Sequence, residues 1–141
     1  MSKFIVYTDG GARWNPGPAG CGMYITDESW NTIEKSYSYI WHATNNIAEY
    51  QWALLGIQHA IEKWATEIEL RADSKLVIEQ LSGNYKIKNE GLKAIAREIF
   101  TLLDSWGGNV NFHHIYREQN TVADALSNKA MDLKKEGIFY I

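Results

Sequence analysis

The spacing of hydrophobic residues changes period several times along the chain, and each change marks an element boundary. Residues 3–9 form a nearly continuous apolar run that stops at Asp9-Gly10-Gly11, the pattern of a strand buried on both faces and followed by a turn. This segment is the expected centre of a sheet. After the Asn15-Pro16-Gly17-Pro18 turn, residues 20–27 and 32–41 read as two further strands. In the second of these, Ile33, Tyr37, Tyr39 and Trp41 alternate with Glu34, Ser36 and Ser38, and the short link over 27–31 makes the pair a hairpin. From 47 to 64 the period lengthens. Apolar residues at 47, 50, 54, 57, 61 and 64 predict an amphipathic helix of about five turns. Alternation returns at 67–72, where Ile68, Leu70 and Ala72 share one face. A short helix over about 74–82 stops at Gly83. A longer one over 90–106 gathers Leu92, Ile95, Ala96, Ile99, Leu102, Leu103 and Trp106 on one side before Gly107-Gly108. Residues 110–116 form a fifth strand, and a last helix from Thr121 turns Ala123, Leu126, Ala130 and Leu133 inward.

Three strands, a helix, a strand, two helices, a strand and a helix make a mixed α/β pattern. An antiparallel meander is joined to parallel strands by helical crossovers, giving a five-stranded mixed sheet flanked by helices. With 141 residues and 45% hydrophobic content, the chain suits one domain over 1–134. Residues 135–141 remain as an apolar tail that packs on the surface, pairs with a sheet edge or docks on a partner. No apolar run approaches the roughly 20 residues of a membrane span, and Met1-Ser2-Lys3 leads straight into a strand. The lone Cys21 has no partner for an internal disulfide and reads as a buried strand residue. These features predict a soluble, cytoplasmic monomer without membrane association. A net charge of −3 excludes a global positive field, so nucleic acid would have to be met by local patches. Lys75, Lys86, Lys88, Lys93 and Arg97, interrupted by Glu79 and Glu90, are either such a patch or a solvated helical surface.

Four carboxylates, Asp9, Glu49, Asp73 and Asp124, stand where strands end or helices begin. Each has a local explanation. Asn46-x-x-Glu49 and Thr121-x-x-Asp124 read as capping boxes, Asp73 or Ser74 as an N-cap, and Asp9 before Gly10 as a turn residue. Taken together they lie at element ends that converge in an open α/β sheet, where crevices form. On a helical wheel Glu49 falls at the edge of the apolar stripe, beside Ala53, Gly56 and Ala60, and so faces the sheet rim. Converging acids repel one another unless cations neutralise them. Oxygen donors without Cys or a His cluster suit Mg²⁺ or Mn²⁺ over zinc.

In order, Phe4-Ile-Val-Tyr-Thr-Asp9-Gly-Gly11, Asn15-Pro16-Gly17-Pro18, Thr44-Asn-Asn-Ile-Ala-Glu49-Tyr50, Arg71-Ala-Asp73-Ser74 and Arg117-Glu-Gln-Asn-Thr-Val-Ala-Asp124-Ala-Leu126 resemble the type 1 ribonuclease H family. The resemblance runs from about residue 3 to about residue 134. It implies the ribonuclease H fold and endonucleolytic hydrolysis of the RNA strand of RNA–DNA hybrids, leaving 5′-phosphate and 3′-hydroxyl ends. It also implies two Mg²⁺ ions, or Mn²⁺ in their place, with Asp9 bridging both, Glu49 and Asp73 completing one site and Asp124 holding the other. Asn15, Asn45 and Glu49 match the family's positions that read the RNA sugar, and Thr44 and Asn46 its contacts to a DNA-strand phosphate. Taken alone, Asn15 and Asn45 read equally as a turn residue and a pre-helix residue. A non-catalytic hybrid-binding module on the same fold is the alternative.

The chain departs from many relatives in three places. Only Gly83-Asn-Tyr-Lys-Ile-Lys-Asn89 stands where they carry a basic helical protrusion, which implies weaker substrate binding. The loop before Asp124 has no histidine; Glu118 is the side chain available in its place, while His113 and His114 lie within the fifth strand. Lys75 stands where several relatives have glutamine, so a base-edge contact becomes a phosphate contact, shared with Lys86 and Lys88. Trp14 and Trp52 are candidates to stack on nucleic acid, or are ordinary half-exposed aromatics.

Overall fold

The computed structural model describes residues 2–140. Its strands are β1 (Lys3–Ala12), β2 (Gly17–Asp27), β3 (Thr32–Ala43), β4 (Glu67–Ala72), β5 (Asn109–His114) and β6 (Gly137–Tyr140). Its helices are α1 (Asn45–Glu62), α2 (Lys75–Leu81), α3 (Glu90–Trp106) and α4 (Thr121–Leu133). The sheet order is β5-β4-β1-β2-β3-β6, with β1–β2–β3 antiparallel and β1, β4 and β5 parallel. The expected five strands are therefore present with β1 at their centre. Most of the segment expected as an apolar tail extends the sheet: β6 pairs antiparallel with Glu34–Tyr37 on the β3 edge. Ile141, the last residue of that tail, and Met1 lie outside the described residues.

The main core lies between the sheet and α1 with α3, where Val6, Met23, Ile25, Ile57, Ile68, Leu70 and Ile99 are fully enclosed. On the opposite face α4 seats Leu126 and Ala130 against Tyr37. Burial of these apolar side chains is the main favourable term, at about 1.5–3 kcal/mol for each large one.

Three differences from the sequence pattern have physical causes. The buried face of α1 keeps the expected Tyr50 and Ile57 but adds the small residues Ala48, Ala53, Gly56 and Ala60, and the helix ends at Glu62, leaving Trp64 exposed with φ 68°. Close approach explains this, since a Cβ at Gly56 would come within 2.8 Å of the Val6 side chain. Second, the polar set of β3 points inward: Glu34 and Ser36 are buried while Trp41 is exposed. Glu34 accepts a hydrogen bond from His59 Nδ1 at 2.6 Å and lies 3.4 Å from Lys63 Nζ, which makes its burial tolerable. Third, Trp52 is buried in the core and is no stacking platform, and Leu133 is exposed while Ser127 takes the inward place on α4.

Candidate active site

β1 does not turn at Asp9. It continues to Ala12, and Asp9 stays in the ladder opposite Gly22 of β2. Two glycines draw helices onto this point. A Cβ at Gly22 would meet the Ala123 carbonyl oxygen at 2.1 Å, so α4 rests directly on β2. A Cβ at Gly10 would lie 2.8 Å from the Ala48 carbonyl carbon, so the first turn of α1 rests on β1. Asp124 and Glu49 thereby reach Asp9 from opposite sides of the sheet. Asp73 arrives from the end of β4, the parallel neighbour of β1.

Neighbours take the local roles that the acids were offered. Thr44 caps α1, its Oγ1 accepting the Ile47 N–H at 3.1 Å. Ser74 caps α2 through the Val77 N–H at 3.3 Å. α4 starts after Asn120 without a side-chain cap, so neither proposed capping box forms. The carboxylates of Asp9, Glu49 and Asp73 converge instead, each offering an oxygen within 4.8 Å of the others. Asp124 joins them in the cleft, close enough to Asp9 to help raise its pKa.

This arrangement is electrostatically costly. Burial first, then the charges of Asp73 and Asp124, push the Asp9 pKa up to about 7. Burial and the charges of Asp9 and Asp73 push Glu49 well above the carboxylate range, although the Gly10 N–H donates to it. Glu49 Oε2 is buried without a hydrogen-bond partner among the described residues. Nearby, Cys21 donates its thiol to the Ala48 carbonyl at 3.4 Å, and burial and these acids hold its pKa well above normal. An orphaned buried carboxylate oxygen among mutually repelling acids, with oxygen donors only, fits a hard divalent cation.

The acids line a cleft of about 570 Å³ with Arg13, Asn45, Asn46, Arg117, Ser127 and Asn128 on its walls. Beside it a second hollow of about 370 Å³ is lined by Asn15, Thr44, Asn45, Asn46, Ile47 and Asn89.

The description "Reverse transcriptase-like" belongs to the family model that matches residues 7–130. A bifunctional protein of Mycobacterium tuberculosis is 39% identical over 131 residues, covering 92% of this chain and 36% of that protein. RNase H1 of Halobacterium salinarum superposes with a TM-score of 0.88 at 33% identity, covering 92% of this chain and 98% of that one. LC11-RNase H1, isolated from compost by a metagenomic approach, superposes in its complex with an RNA/DNA hybrid with a TM-score of 0.84. Its identity is 42%, over 93% of this chain and 98% of that chain. This chain belongs to the ribonuclease H family. It is thus a member of a nuclease family, and it spans about a third of the length of its mycobacterial relative.

In this ribonuclease H chain the four acids, Asn45 and Asn46 share the cleft, while Asn15 and Thr44 line the adjoining hollow. Lys75, Lys86 and Lys88 are exposed and line neither. Tyr50 donates to Gln80 at 2.6 Å, and Gln80 donates to the Lys86 carbonyl at 3.2 Å, anchoring the short α2–α3 link. Glu118 sits in an exposed 3₁₀ turn over Arg117–Gln119, and it is Arg117 that lines the cleft, 3.7 Å from Asp124. His113 and His114 are exposed on β5.

Two positioning residues escaped the sequence reading. Asn120, almost fully buried, donates its amide to the Thr8 carbonyl at 2.9 Å and to Asp73 at 3.0 Å. Ser127 Oγ donates to Asp9 at 3.2 Å and lies 3.0 Å from the Asp124 carbonyl oxygen. The available signal was their spacing from Asp124, four residues before and three after, which puts both on its helical face.

Proposed function

We propose that this protein is an endoribonuclease that hydrolyses the RNA strand of RNA–DNA hybrids at the Asp9–Glu49–Asp73–Asp124 cleft. The observation that carries this reading is the convergence of Asp9, Glu49 and Asp73 within 4.8 Å, with Asp124 in the same cleft and a polar hollow alongside. Asp9, Glu49, Asp73 and Asp124 would hold two Mg²⁺ ions, for which Mn²⁺ can substitute. When bound, such ions activate a water and stabilise the leaving oxygen of an in-line displacement, giving 5′-phosphate and 3′-hydroxyl ends. Metal-binding carboxylates supplied wholly by one chain suit a cytoplasmic monomer.

The chain's own groups explain how the hybrid would be read. Asn45 Oδ1 accepts the Ala12 N–H at 2.6 Å, and Asn15 Oδ1 accepts the Asn45 N–H at 3.0 Å. Both amide oxygens are committed to backbone donors, so the NH₂ groups are what a substrate oxygen meets. That suits a test for the 2′-hydroxyl, the group by which a protein tells RNA from DNA. Thr44 Oγ1 is fixed by its capping bond, leaving its proton for a phosphate oxygen of the other strand.

The test incubates labelled RNA–DNA hybrid, RNA duplex and DNA duplex with wild type and Asp9→Asn, in Mg²⁺, Mn²⁺ or EDTA. The expected result is metal-dependent cutting of the hybrid's RNA alone, reduced at least about 10³-fold in Asp9→Asn. Hybrid binding without cleavage under either metal would instead identify a non-catalytic binding module.

A further inference from the structure

The lysines that sequence patterning offers as a phosphate-tracking surface do not line the cleft. Among the described residues, the cations that line it are Arg13 and Arg117. Arg117 faces Asp124 at 3.7 Å. Arg13 lies in the β1–β2 loop and hydrogen-bonds through Nη2 to Asp132 of α4.

We propose that Arg13 is a phosphate contact for the strand being cut, held at the cleft wall by Asp132 until the substrate backbone takes it over. The proposal rests on the hybrid-cleaving reading above and adds a specific substrate contact to it. Three observations carry it. First, Arg13 lines the same cleft as the four acids that would act on the RNA strand, and it does not line the adjoining hollow. Second, the loop holding it is pinned: the Arg13 N–H donates to the Pro18 carbonyl at 3.0 Å, and the neighbouring Ala12 N–H to Asn45. The guanidinium therefore projects from a fixed base. Third, the Arg13 and Asp132 side chains are 47% and 62% exposed, so their pair is worth little in water and is easily exchanged for a phosphate. A chain with net charge −3 and a cleft of acids must attract its polyanion with such individual contacts.

The test measures binding of a fluorescein-labelled RNA–DNA hybrid in Mg²⁺ across a salt series, in an Asp9→Asn background that halts cleavage. Arg13→Gln should weaken binding about five- to tenfold and reduce the slope of log affinity against log salt by roughly 0.7 to 0.9. Asp132→Asn should leave that slope intact. A double variant, Arg13→Asp with Asp132→Arg, restores an ion pair between loop and helix; it should recover the melting temperature but not the binding. Wild-type affinity and slope in Arg13→Gln would overturn the proposal, as would recovery of binding in the swapped pair. If the Asp9→Asn background itself binds no hybrid, the failure lies with the hybrid-cleaving reading and Arg13 has no substrate to contact.

Discussion

The fold buries carboxylates in two places and treats them in opposite ways. On β3, Glu34 is fully enclosed, yet His59 donates to one oxygen and the Lys63 ammonium approaches the other. Burial alone would raise its pKa; the hydrogen bond and charge of His59, with Lys63, overcome that and leave it lowered. In the cleft, Asp9 of β1 and Glu49 of α1 are nearly as buried, but their close charged neighbours are other acids, and both pKa values are raised. The same residue type is compensated on β3 and, at Asp9 and Glu49 in the cleft, left without a paired cation among the described residues. Uncompensated buried charge costs stability, which is reasonable only if something outside the chain supplies the missing positive charge.

The comparison breaks most forcefully at Glu34. Glu34→Ala should cost about 3 kcal/mol by chemical denaturation near neutral pH, because it strands two cations against a buried cavity. The sign of its pH dependence follows from the two shifts. Glu34, with a lowered pKa, contributes stability above the ordinary carboxylate pKa and loses it as pH falls through the folded value. His59 is raised, by the Glu34 hydrogen bond first, so its contribution is full below its ordinary pKa and lost as pH rises through the folded value. The pair should therefore stabilise most between the ordinary carboxylate and imidazole pKa values, and Glu34→Ala should flatten that optimum.

A smaller effect is expected at Asn120, which acts on the cleft through Asp73 and the Thr8 carbonyl. Asn120→Ala should lower kcat and Mg²⁺ affinity about 10- to 100-fold, with KM for hybrid changed less. A loss confined to melting temperature, with wild-type kinetics, would mean that Asn120 serves only the fold.

Most of the architecture was legible because large apolar residues mark each period. The reading slipped where small or polar residues make the contact. On α1 the wheel weighted by large side chains found the buried Tyr50 and Ile57, but it took in Leu54, Ile61 and Trp64 where Ala48, Ala53, Gly56 and Ala60 complete the buried face. β3 turned a buried ion pair inward, which alternation reads as a solvent face. The four acids could be picked out because each falls in an ordered local motif. Asn120 and Ser127 could not, since their bonds to β1 span 112 and 118 residues of sequence. Arg13 was overlooked because lysine clustering elsewhere was the louder charge signal.

The most direct test of the uncompensated cleft is a thermal melt of wild type and Asp9→Asn, with and without Mg²⁺, at about pH 5 and about pH 8. A raised pKa makes Asp9 cost stability as pH climbs from its ordinary value through about 7. Mg²⁺ should accordingly raise the wild-type melting temperature more at about pH 8 than at about pH 5. Metal-free Asp9→Asn should melt above metal-free wild type at about pH 8, by roughly 3 °C for about 1 kcal/mol, and gain less from Mg²⁺. Equal Mg²⁺ gains at both pH values, or a metal-free Asp9→Asn that melts below wild type at the higher pH, would contradict the account.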